Sequence, residues 1–189
     1  MKKNNRAVFL DRDGTINEEV GYLDSLDRLV IFPAAFDAVR MLNEAGFKVV
    51  VVTNQSGVAR GFFDEEFVDT VHARMDEIFR EKGAIIDRFY YCPHHPTEGI
   101  DRYRILCDCR KPAPGMLIKA SEELCIDLAG SYVVGDMAKD IILANNVGAG
   151  GILVRTGYGN NVDVSDIKPV YVARDILDAA NWIIKDGRC

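Results

Sequence analysis

The chain has 189 residues, 48% of them hydrophobic and 28% charged, which suits one soluble globular domain with a sizeable core. Lys plus Arg total 23 against 29 Asp plus Glu, so the formal net charge is -6; a dedicated nucleic-acid binder is disfavoured, and an anionic ligand needs a local basic site. No apolar run is long enough to span a membrane, and the apolar piece behind the basic first six residues is too short for a secretory core, so a cytoplasmic chain without membrane partners is expected.

Residues 6–10 read as a buried strand ending at Asp11. Residues 29–32 are a second apolar piece, read as a minor strand. Pro33 then stands where a helix accepts proline, in its first turn. Ala35, Ala38, Val39 and Leu42 form the stripe of that helix, and Gly46 stops it. Residues 48–52 are a valine run, a strand buried on both faces, ending at Thr53. Asp64 is the predicted N-cap of a long helix, with Glu65 and Glu66 in the first turn where the dipole favours anions. Its apolar face is Phe67, Val68, Val71, Met75, Ile78 and Phe79, and Gly83 ends it. His72, on this helix among acidic residues, is expected to be solvated or partly packed.

Residues 89–91 predict a strand, and residues 92–114 an irregular stretch containing four prolines. A helix over 113–124, a strand over 131–134 and a helix over 138–147 follow. Strands over 151–154 and 170–172 precede a final helix over 175–185. Alternating strands and helices predict an α/β fold over residues 1–189: a Rossmann-like, three-layer parallel sheet with helices on both faces. Ligands in such folds sit at the carboxyl ends of the strands. The cysteine-rich loop at 92–109 is the only candidate insert.

Polar residues gather at those strand ends. Asp11-Arg12-Asp13-Gly14-Thr15 follows the first strand, and its two carboxylates can reach one pocket. Thr53-Asn54-Gln55-Ser56 follows the second. Arg110-Lys111-Pro112 supplies two cations before a helix. Gly135-Asp136, with Asp140 four residues on, ends a later strand. Each piece alone also fits an ordinary turn, cap or solvated pair.

The five cysteines are an odd number, which argues against a disulfide framework. Cys92-Pro93-His94 and Cys107-Asp108-Cys109 instead offer three thiolates and one imidazole, a closed tetrahedral zinc set that is structural and not catalytic. His95 is the neighbouring alternative; the C-x-H spacing favours His94. Cys125, on a helix face, and Cys189 are read as plain thiols.

The four strand-end pieces, in this order from about residue 6 to about residue 157, resemble the haloacid dehalogenase superfamily of phosphohydrolases. The resemblance implies Asp11 as nucleophile, since a carboxylate gives an easily hydrolysed acyl phosphate. It implies Asp13 as general acid and then general base, protonated for the first step. The Asp11 side chain, the Asp13 carbonyl and the Asp136 side chain are the implied Mg²⁺ ligands. Thr53 and Lys111 are expected to hold the transferring phosphoryl oxygens, and Asp140 to orient Lys111 or a metal-bound water.

The cysteine loop is similar to that of the zinc-loop phosphatases of this superfamily, with no large cap domain. Its long gap, and Asn54-Gln55-Ser56-Gly57-Val58-Ala59-Arg60-Gly61, look like the heptose bisphosphate phosphatases. That group implies substrate contacts from Glu19, Val20, Gly21, Tyr22, Thr53, Asn54, Gln55, Ser56, Arg110 and Lys111. Arg110 is expected to grip the second, non-reacting phosphate. Met137 stands where this group often carries lysine, with Lys139 nearby. A monomer acting on a small phosphorylated sugar, in nucleotide-heptose and lipopolysaccharide assembly, is expected. The nearest rival is a histidinol-phosphate phosphatase, whose zinc loop is shorter. A signalling receiver domain would carry its acceptor aspartate alone on a middle strand, and a zinc-stapled binding module would lack Asp11 or Asp13.

Overall fold

A computed structural model describes residues 5–186. Cys189 and the basic first four residues lie outside this range. The strands are β1 (Ala7–Leu10), β2 (Lys48–Asn54), β3 (Arg88–Cys92), β4 (Tyr132–Gly135), β5 (Gly150–Val154) and β6 (Tyr171–Ala173). The helices are α1 (Pro33–Glu44), α2 (Glu65–Glu81), α3 (Gly115–Leu124), α4 (Ala138–Val147) and α5 (Ile176–Asp186). All six strands are parallel, in the order β3-β2-β1-β4-β5-β6.

Alternation along the strands builds two cores. Val8, Leu10, Val49, Val51 and Val134 face α1, α2 and α5. Phe9, Val50, Val52 and Val133 face α3 and α4. Val49 to Val52 are fully buried, each contributing about 1.5–3 kcal/mol relative to exposure. The chain order reverses across β1, whose neighbours are β2 and β4, and a crevice opens there at the carboxyl ends. Among the described residues no helix is long and apolar enough to cross a membrane.

The structure differs from expectation in three places. Residues 29–32 form no strand; Ile31 makes one antiparallel bridge to Asn17, and Phe32 caps α1. Helix α3 starts at Gly115, not at Ala113, because a residue preceding proline is pushed out of helical geometry and Pro114 occupies the cap. Cys125 lies past the helix face, exposed at the left-handed C-cap of α3 with φ 53°.

Candidate active site

Three adjacent strands deliver the site. The Asp11 N–H donates to the Val134 carbonyl at 2.9 Å, extending the β1–β4 pairing by one residue. Asp13 follows Asp11 by two residues, Thr53 sits near the end of β2 and Asp136 just beyond β4. All four line a cavity of about 160 Å³.

Lys111 comes from the segment that precedes α3. Its backbone is held by Asn54, which accepts from the Lys111 N–H at 3.0 Å and donates to its carbonyl at 3.1 Å. The ammonium donates to the Val52 carbonyl at 2.9 Å and pairs with Asp11 Oδ1 at 2.8 Å and Asp140 Oδ1 at 2.7 Å. Burial alone would lower its pKa, but the Asp11 and Asp140 charges outweigh this and raise it. One carbonyl and two carboxylate oxygens thus crowd the ammonium, and a phosphoryl oxygen that reaches Lys111 competes with them. The Asn54 side chain, expected to touch substrate, is occupied in clamping Lys111.

Asp11, Asp136 and Asp140 bring carboxylate oxygens within 4.8 Å of one another. Burial first, and the Asp11 charge second, push Asp136 up to about 7, against the Tyr158 N–H that donates to its Oδ2 at 2.8 Å. Asp136 Oδ1 is buried with no partner. Three carboxylates facing one lysine leave uncompensated negative charge, and an orphaned oxygen points into it. Hard oxygen donors in that arrangement fit a divalent cation. Glycines make room for it: a Cβ on Gly14 or on Gly157 would lie 2.2 Å from Asp136 Oδ2, and one on Gly135 2.3 Å from Asp140 Cγ.

Asp13 is held by a different set. Arg12 Nη2 lies 2.9 Å from its Oδ2 and 3.0 Å from its Oδ1, with Nε at 3.2 Å from Oδ1. Asn17 and Gln55 donate to it at 3.0 and 2.9 Å. Burial favours the neutral acid, but the Arg12 charge and these hydrogen bonds win and hold the carboxyl below its ordinary range. The resting form is therefore the base, not the protonated donor expected for the first step. Gln55 also donates to Thr53 Oγ1 at 2.8 Å, tying the two strand ends together.

Of the other expected substrate residues, Glu19, Gly21, Tyr22, Asn54, Gln55, Ser56, Arg110 and Met137 line the cavity. Val20 does not; it packs against the core, as its apolar side chain dictates. Lys139 and Tyr158 also line the cavity. Tyr158 follows β5, and only its flanking glycines marked it in the sequence.

The sulfurs of Cys92, Cys107 and Cys109 are mutually 3.1–3.5 Å apart. His94 Nδ1 lies 3.4 Å from Cys109 Sγ and 3.8 Å from Cys92 Sγ. None of the three cysteines is in a disulfide. A tetrahedral zinc with bonds of about 2.3 Å spaces its sulfurs about 3.8 Å apart, so the donor set fits that ion. The Cys92 thiol, against the opposing effect of burial, pulls Cys109 down to about 5 by hydrogen bonding. His95 is engaged elsewhere, accepting from the Thr97 and Glu98 N–H groups. Arg110 Nη1 donates to the His94 carbonyl at 2.9 Å, so the cysteine cluster and the cavity share a strut.

His72 departs from expectation. It is buried on α2, 6% exposed, stacked on Phe89 with centroids 4.8 Å apart. The stripe of Val68, Val71, Met75 and Phe79 carries it inward.

Residues 108–179 match the family model of HAD-hydrolase-like proteins. A D-glycero-beta-D-manno-heptose-1,7-bisphosphate 7-phosphatase of Escherichia coli K12 is 44% identical over 186 residues, 97% of this chain and 91% of that protein. Its Vibrio cholerae counterpart is 47% identical over 152 residues, 80% of this chain and 82% of that one. The crystal structure of a D,D-heptose 1,7-bisphosphate phosphatase from B. bronchiseptica, complexed with magnesium and phosphate, superposes with a TM-score of 0.85 at 32% identity, covering 96% of this chain and 99% of that one. The chain belongs to the haloacid dehalogenase-like hydrolases and, within them, to the D-glycero-beta-D-manno-heptose-1,7-bisphosphate 7-phosphatase family.

Proposed function

We propose that this chain hydrolyses the 7-phosphate ester of D-glycero-D-manno-heptose 1,7-bisphosphate by way of an aspartyl phosphate. The observation that carries the reading is the meeting of Asp11 and Asp13 on one cavity whose wall also holds Arg110. Asp11 attacks phosphorus; its other contacts, the Lys111 ammonium and the Arg12 N–H, fix the carboxylate in place. Asp13, once protonated, gives its proton to the departing sugar oxygen. Left as the carboxylate, it takes a proton from the water that cleaves the acyl phosphate. Thr53, tied to Gln55, offers its hydroxyl to the phosphoryl oxygens. Arg110 holds the second phosphate.

In this reading the Asp11 and Asp136 side chains and the Asp13 carbonyl hold Mg²⁺, which neutralises phosphoryl charge when bound. Cys92, His94, Cys107 and Cys109 hold a structural Zn²⁺. The chain works as a cytoplasmic monomer on a small phosphorylated sugar. Phosphate release from both anomers of the bisphosphate, compared with histidinol phosphate, tests the reading, with Asp11→Asn as the inactive control. The highest kcat/KM on one bisphosphate anomer is expected. Preference for histidinol phosphate, or turnover by Asp11→Asn, would overturn it.

A further inference from the structure

Arg12 is 1% exposed and among the largest fully buried side chains of the protein. A buried guanidinium must find an acceptor for each of its edges. Nε and Nη2 face Asp13. The remaining edge, Nη1, lies 3.4 Å from His72 Nε2. His72 comes from α2, remote in sequence from Asp13; its ring stacks on Phe89 at 21°, and Tyr91, 5.8 Å away, meets it tilted at 60°. Burial, and then the Arg12 charge, drive its pKa down to about 3, so the ring is neutral. Beside a guanidinium a neutral imidazole can only accept, which puts the lone pair on Nε2 and the proton on Nδ1.

We propose that His72 is a positioning residue for the reaction: by accepting from Arg12 Nη1 it fixes the guanidinium plane, and that plane aims the Asp13 carboxyl at the leaving oxygen. This rests on the reading of Asp13 as proton donor given above. Around Asp13, Oδ1 takes three donor contacts, from Arg12 Nε, Arg12 Nη2 and Asn17. Oδ2 takes two, from Arg12 Nη2 and Gln55. Oδ2 is thus the oxygen with room for the proton. When the ester bond breaks, that proton passes from Oδ2 to the leaving alkoxide as the Asp11–phosphorus bond forms. The second step returns a proton from water to Oδ2 as the water oxygen bonds to phosphorus and Asp11 is released. The rigid aromatic seat of His72 is what makes the anchor stiff. Without it, Nη1 is left buried and unsatisfied, and the guanidinium turns to find another acceptor, carrying Asp13 with it.

The test is leaving-group dependence, because kcat/KM contains alkoxide expulsion and omits later acyl-phosphate hydrolysis. An alkyl phosphate such as the bisphosphate needs the proton; p-nitrophenyl phosphate, with its stable leaving anion, does not. His72→Leu should lower kcat/KM for the alkyl ester by roughly 10- to 100-fold, the scale of a misplaced catalytic group, and hardly change it for the aryl ester. His72→Gln, whose amide oxygen can replace the Nε2 lone pair, should restore most of the alkyl activity. Should His72→Leu fail to fold, Arg12→Lys, which keeps the charge but not the fork, should show the same selectivity. Asp13→Asn must also be selective against the alkyl ester; if it is not, the Asp13 reading has failed. If Asp13→Asn is selective and the His72 and Arg12 variants lose equally on both esters, His72 is only packing and the inference is wrong.

Discussion

Lys111 Nζ lies 2.8 Å from Asp11 Oδ1 while the lysine side chain is completely buried. The same nitrogen reaches Asp140 at 2.7 Å, so one cation serves two carboxylates with no solvent to share the load. Removing it leaves buried negative charge unpaired. Lys111→Met should therefore cost roughly 3–5 kcal/mol of stability in the metal-free protein. Asp140→Asn should cost less, since Lys111 keeps Asp11 and the Val52 carbonyl. Urea unfolding of the purified variants checks this, and an unchanged midpoint for Lys111→Met would refute it.

A second expectation concerns pH. Asp136 sits near 7 in the fold, well above the ordinary carboxylate value of 3.8. The folded state thus binds more protons between those values, and stability falls as pH rises through that window. The metal-free protein should lose stability from about pH 4 to about pH 7 through this group, and Asp136→Asn should flatten that part of the curve. Mg²⁺ should recover the loss at neutral pH and bind more weakly below it. A melting temperature series with and without Mg²⁺ measures both, and parallel curves for parent and Asp136→Asn would count against the assignment.

Zinc should co-purify at one equivalent, because three sulfurs and one imidazole are gathered around a single point. Cys107→Ala should lower thermal stability first. It should then weaken substrate binding, since Arg110 hangs on the His94 carbonyl and moves with the cluster. Elemental analysis of protein prepared without chelator, followed by KM on the variant, tests the two halves separately. Zinc-free protein of full stability would sink the idea.

Arg110→Ala should reduce kcat/KM on the bisphosphate by roughly 10- to 150-fold, the worth of about 1.5–3 kcal/mol in a charged hydrogen bond. A small monophosphate that ends short of Arg110 should lose much less. Equal losses on both would place Arg110 on the transferring phosphate.

Much of this was readable from residues alone, and the reason is periodicity. Asp11, Thr53 and Asp136 each follow a run of buried apolar residues, so each had to emerge at a strand end. The C-x-H and C-x-C pairs marked a four-donor cluster, and the structure brings those four residues together. The structure was needed where contacts cross the sheet. Nothing in the D-x-D-G-T string says that Arg12 turns inward onto Asp13, and nothing local joins Arg12 to His72. The signal for His72 was present, four residues after Val68 and three before Met75 on the inward stripe, but a histidine among acidic neighbours reads as a surface residue. Val20 departs for the opposite reason: it neighbours cavity residues in sequence, yet its side chain packs against the core, while Asn54 lines the cavity and also clamps the Lys111 backbone.

The placement of β1 between β2 and β4 has a consequence for how the protein is made. Of the six described strands, the one that leads into Asp11 is made before the other five, yet the register that seats it pairs Leu10 with Val51 on one side and Val134 on the other. Contacts so distant in sequence close late. A nascent chain released before Tyr132 would carry β1 as an open edge, with two aspartates at its tip and no β4 to frame them. For a growing polypeptide this means that Asp11 is made early and reaches its place in the site only once β4 has been added.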